Sequence, residues 1–238
     1  MKRILHLTIG LLFLLPIVAS SALAGDVIDG VVATVNRQPL FQSDWAEAIC
    51  FEAFMQQKPI AQVTQADRVK ALQRLIDRQL LEGQMGAETF LQPSEDDVDK
   101  DVAKLRAQVP NGSDDRIWQK SLASYGLTQD VLRDHLRTEV RVMNFVEVRL
   151  RPNVHVQPEE IEAYYKNQLL PDLQKTGSAM IALDEAEPRI RELLVQQHMD
   201  ELLDTWLHNL RQQAEIRSTI AIPAGNAPAD QGGASGAN

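Results

Sequence analysis

The sequence predicts a mainly α protein, one discontinuous helical domain whose two end segments are joined by a small two-stranded element. Three observations predict it. Apolar residues recur at three- and four-residue spacing through most of the chain, the pattern of a helix with one buried face. Only two short segments read as strands, one over 28–34 and one over 214–220. Backbone groups need partners, and the simplest partner for each lone strand is the other.

The elements follow in order. Lys2 and Arg3, an apolar run over 4–19 and Ala22-Leu23-Ala24 predict an export signal over 1–24, cleaved between Ala24 and Gly25. The run is shorter than the roughly 20 residues of a spanning helix, and Pro16 interrupts it. No later stretch is long and apolar enough to span a bilayer, so the expectation is an exported protein with no integral membrane segment after cleavage. The strand ends over 34–37 and Gln38-Pro39 reads as a turn. Ser43 is a candidate N-cap for a helix to about residue 57, which Lys58-Pro59 stops.

Thr64 followed by Asp67 opens a second helix, with Val69, Leu72, Leu75, Ile76, Leu80 and Leu81 on one face. Pro93-Ser94-Glu95-Asp96-Asp97 opens a third, where acids suit the helix dipole, with Val98, Val102, Leu105 and Val109 as its stripe. A short helix carries Ile117, Trp118, Leu122 and Tyr125 and stops at Gly126. Thr128 caps a long helix over 129–150, striped by Val131, Leu132, Leu136, Val140, Met143, Val146 and Leu150. Gln157-Pro158-Glu159-Glu160 starts another, ending near Leu170-Pro171. A connector over 173–183 leads to a last long helix beginning at 184–187, and then to the second strand. The segment 223–238 is small and polar and is expected to be a flexible tail.

Charge and chemistry narrow the function. Without Lys2 and Arg3 the chain has 22 basic residues against 33 acidic, a net of −11. That argues against a nucleic-acid partner, which selects a basic face. Cys50 is the single cysteine, so no internal disulfide forms, and burial beside Ile49, Phe51 and Phe54 is its expected state. No GxSxG, P-loop, GxGxxG, HExxH or CxxC stretch is present. His135, His155, His198 and His208 are not paired at ligand spacing, and the acidic clusters sit at helix starts, where acids are expected. The sequence therefore nominates no catalytic residue, no metal ligand and no cofactor. Most large apolar residues are expected in the core. A minority can line an adaptable concave surface, and the candidates are Trp45, Phe54, Met55, Trp118, Tyr125, Tyr164 and Tyr165.

Five stretches carry a family resemblance: VIDGVVATVNRQPLFQSDW, RLIDRQLLEGQM, DVAKLRAQ, SYGLTQDVLRDHLRTEVRVMNFVEVRLRPNVHVQPEEIEAYYKN and IRELLVQQHMDELLDTWLHNLRQQAEIR. In order and spacing they resemble the core of SurA-type periplasmic chaperones and parvulin-type peptidyl-prolyl isomerases. The resemblance implies a helical chaperone core, 25–222, built from an N-terminal part over 25–172 and a return helix and strand over 184–222. In such proteins parvulin domains of about a hundred residues, an ordinary domain size, sit between the two parts. Here the short connector stands in their place, and the family's His-Ile-Leu strand and Gly-Gly-Asp-Leu-Gly stretch are missing. The expected function is ATP-independent, periplasmic binding of unfolded outer-membrane or secreted polypeptides. The alternatives are a prolyl isomerase, or an adaptor subunit that binds one folded partner. A homodimer is compatible with so open a core.

Overall fold

The computed structural model of the protein describes residues 29–85 and 92–221. The signal over 1–24, with its Ala24 and Gly25 junction, and the tail over 223–238 lie outside the described residues. Strand β1 (Val31–Val35) is central in a three-stranded antiparallel sheet of order β2-β1-β3. Strand β3 (Ile216–Ser218) pairs with it through Ala33↔Ser218, Thr34↔Arg217 and Val35↔Ile216. The two end segments are thus joined as their sequences predict. The sheet has three strands where the sequence predicts two, because Gln38–Phe41 is strand β2. Asn36 and Arg37 both take positive φ (49° and 69°), which makes a two-residue turn that matches strand twist. Such a turn makes Val35↔Gln38 and Ala33↔Leu40 the hydrogen-bonded pairs. Pro39 then falls at the intervening position, where no N–H is required, and a proline that suggests a turn is accommodated on an edge strand.

Helix α1 (Gln42–Met55) follows directly. Its N-cap is Phe41 rather than Ser43. Two carboxylates do the capping: Asp44 accepts from Phe41 N–H at 2.9 Å, and Asp29 accepts from Ser43 N–H at 3.2 Å and from its hydroxyl. The helix can start earlier because a residue distant in sequence satisfies its free amides. Helices α2 (Gln65–Glu82), α3 (Glu95–Gln108) and α5 (Gln129–Leu150) start at Thr64, Ser94 and Thr128 as predicted. Each cap hydroxyl accepts from the amide three residues on at 3.2 Å. Helix α4 (Asp115–Ser124) ends at Gly126, φ 74°, where Leu127 N–H donates to Leu122 O and Gly126 N–H to Ala123 O, both at 3.0 Å.

Four apolar clusters result among the described residues, two of them large. Phe51 and Phe54 of α1 pack with α3, α4 and the first half of α5 around the fully buried Trp118, Leu122 and Leu132. The sheet packs on α2 through Val32, Ala33, Val35, Leu40, Leu72 and Leu75. Beyond Leu136 the partners of α5 change while its buried stripe continues: Val142, Val146 and Leu150 meet α2 and the last helix. Met143, expected in the stripe, is left exposed.

Helix α8 (Leu183–Gln213) connects these parts. Ala186, Ile190 and Leu194 are buried against α6 (Pro158–Tyr164) and the segment after it. Met199 is buried further along, and Leu203, Trp206, Leu207 and Leu210 pack on α2 and α5. Nine residues separate Ile190 from Met199, about half a turn net at roughly 100° per residue. The helix therefore buries opposite faces at its two ends, with the α6 arm on one side and the body on the other. Within the arm, the break expected near Leu170-Pro171 is absent. A π turn (Tyr165–Leu169) lets Leu170 N–H reach back to Tyr165 O, and α7 (Leu170–Thr176) continues through Pro171. The shifted register leaves the missing proline N–H without cost. Gly177, φ 65°, ends α7.

Candidate functional site

Two surface features stand out. The first is a cleft of about 290 Å³ between β2, α1, α2 and α5, with Leu40 and Leu75 on its wall and Asp44, Glu47, Arg78, Glu82, Asp134 and His135 around it. His135 Nε2 lies 2.8 Å from Glu47 Oε1, and its ring stacks on Phe51 at 4.5 Å between centroids. Burial pushes the imidazole below its usual range, and Glu47 opposes that only in part. The acids around the cleft are engaged. Glu82 pairs with Arg141 at 3.1 Å, Asp134 with Arg137 at 2.5 Å, and Asp44 caps α1. Among the described residues, no group of three or more His, Cys, Asp or Glu side chains is placed to hold a metal ion.

The second feature is an apolar seam where α5 crosses α8. Phe145 and Trp206 meet at 5.8 Å between ring centroids, both half-buried. Val148, three residues on along α5, is 56% exposed, and Leu202, one turn before Trp206 on α8, is 37% exposed. The helices run antiparallel here, since Arg151 reaches Glu192 at 2.8 Å beyond the seam. Val148 and Leu202 thus extend the ring contact on the same side. Met143, 66% exposed, projects about 140° round α5 from Val148 at roughly 100° per residue.

The residues expected to touch a ligand are placed as follows. Phe54 and Trp118 lie in the core, with ring centroids 5.8 Å apart, and Trp118 Nε1–H donates to Gln129 Oε1 at 3.1 Å. Tyr125 is half-buried against Phe54 at 5.4 Å. Trp45 is half-buried and its Nε1–H donates to Arg68 O at 2.8 Å. Tyr164 and Tyr165 pack in the arm, and Tyr165 O–H donates to Ile181 O at 2.6 Å. Met55 is exposed. The structure does not bring the seven together. Cys50 is half-buried beside the first core, and burial raises its thiol pKa. Val148 and Leu202 were missed because a periodic reading counts apolar residues toward a core. The available signal was that the apolar residues of the return helix are too spread in angle for one face.

Ion pairs hold α8 to the body. Arg211 forks onto Asp77 of α2 at 2.6 and 2.8 Å. Among the described residues, no helix is long and apolar enough to cross a membrane.

Fold and surface together define a class: a helical frame, closed by a sheet that ties its first and last strands, whose accessible feature is an apolar seam. Residues 1–146, more than half of the chain, match the family described as SurA-like N-terminal domain, and the protein belongs to that family. A comparison with curated proteins gives no match.

Proposed function

We propose that the protein is an ATP-independent periplasmic chaperone that holds unfolded outer-membrane or secreted polypeptides against the α5–α8 seam. The observation that carries this reading is the line formed by exposed Val148 and Leu202 and the half-buried rings of Phe145 and Trp206 between them, on a chain of the SurA-like family. Apolar side chains that form a contiguous patch at a surface mark interaction sites, and aromatic rings beside aliphatic ones accept varied side chains. Binding is weak and reversible because the seam is shallow and open. Export follows from the signal over 1–24, the working unit is 25–222, and 173–183 connects its two parts. Met55 is a secondary contact.

The test is suppression of aggregation of a diluted, denatured porin. The parent chain suppresses it. The Val148→Asp/Leu202→Asp double variant keeps the fold, since both positions face solvent, and loses most of the effect. No suppression by the parent at several-fold molar excess contradicts the reading.

A further inference from the structure

We propose that the outer edge of β3 docks one extended segment of an unfolded polypeptide, which joins the sheet as a fourth strand. The inference rests on the chaperone reading and specifies how part of a client is held.

The two edges of the sheet differ chemically. On β2 the residue that faces outward is Pro39, which has no N–H, so that edge lacks a donor where an added strand needs one. On the other side, Asn36 N–H donates to Glu215 O and Thr219 N–H donates to Val32 O, both at 3.0 Å. Main-chain groups alternate in direction along an antiparallel strand. Glu215, Arg217 and Thr219 therefore face β1, and Ile216 and Ser218 turn their N–H and C=O groups away from it. The next outward amide, Ile220 N–H, donates to Ser218 Oγ at 3.1 Å, which ends the open stretch. Two N–H and two C=O groups are left in the spacing of a β ladder, and what complements them is another extended main chain.

The side chains add a preference. Ile216, Ser218 and Ile220 share one face, and both isoleucines pack at the margin of the sheet core. An incoming strand meets apolar side chains at alternate positions with a small serine between them. The edge selects an extended segment with apolar residues at every second position and no proline. Recognition through main-chain bonds reads little sequence, which suits a protein with many clients. So few bonds give weak, fast exchange.

The experiment uses the full chain and a synthetic peptide of nine residues alternating valine and threonine, beside a copy N-methylated on every amide. The expected result is slowed hydrogen exchange at Ile216 and Ser218 with the plain peptide. The methylated copy, short of at least one hydrogen bond, binds about tenfold or more weakly. Ser218→Pro removes an outward donor and leaves the amides facing β1 in place, so it weakens peptide binding and keeps the thermal midpoint within a few degrees. Equal binding of the two peptides, or binding without protection of Ile216 and Ser218, overturns the inference; continued porin protection in that case leaves the chaperone reading standing. Protection of the same amides by concentration-dependent self-association, without peptide, assigns the edge to a second copy and overturns it as well. Peptide-dependent protection without suppression of aggregation supports the edge site and removes the chaperone reading.

Discussion

Trp118 separates a structural residue from a binding residue. It is fully buried, edge-on to Phe54 at 5.8 Å, under the Arg106 guanidinium at 5.5 Å and bonded to Gln129 at 3.1 Å. Trp118→Ala removes the largest side chain of the first core and leaves Gln129 Oε1 without its indole donor. Truncations of this kind cost about 3–5 kcal/mol. In a domain of 150–250 residues each kcal/mol moves the thermal midpoint by about 2–4 °C, so the variant melts about 12 °C lower by far-UV circular dichroism. Trp118→Phe, which keeps most of the volume, loses less than half of that. At a temperature where both chains are folded, aggregation suppression per folded molecule is unchanged. A midpoint within about 3 °C of the parent, together with lost suppression, would refute the packing argument and return Trp118 to the binding surface.

Three further outcomes follow from the same geometry. Gly126→Ala places a Cβ at φ 74° with Cys50 Sγ no closer than 4.0 Å, so it costs backbone strain alone, about 1 kcal/mol in urea unfolding; an unchanged midpoint contradicts the left-handed cap. Arg211→Ala opens the fork onto Asp77 and costs about 1–2 kcal/mol, with a double-mutant cycle to Asp77→Ala returning most of that as coupling; additive single effects would show that the pair does not hold α8. The Arg137 and Arg133 guanidiniums hold the Glu95 carboxyl at about 2, below its ordinary 4.5. Its folded value is depressed, so its contribution is complete above about pH 4.5 and is lost as pH falls toward 2. Glu95→Gln flattens the stability profile over that window, and an equally steep profile in the variant contradicts the assignment.

Local chemistry made much of the fold legible. The caps at Thr64, Ser94 and Thr128 and the stop at Gly126 depend on neighbours within a few residues, so a linear reading finds them. The union of β1 and β3 was legible by elimination, because each lone strand lacked a local partner. Strand β2 was not, since the reading weighs Pro39 as a turn residue and cannot know that its nitrogen faces outward. Ser43 lost its expected role to Asp29, fourteen residues earlier, a contact set only by the folded sheet. The α7 helix was hidden by Pro171, which a π turn accommodates. The seam was least legible. Its residues look like core by type, and only the crossing of α5 over α8 decides which of them stay outside.

The central claim is that unfolded clients contact the protein along that seam, and site-specific photocrosslinking tests it most directly. A photoreactive side chain is placed in turn at Val148, Leu202 and Met143, all exposed, and each chain is mixed with a denatured porin. The account predicts strong crosslinks from 148 and 202 and weak ones from 143, which is as accessible but lies on another side of α5. Equal labelling from all three, or stronger labelling from 143, would contradict it.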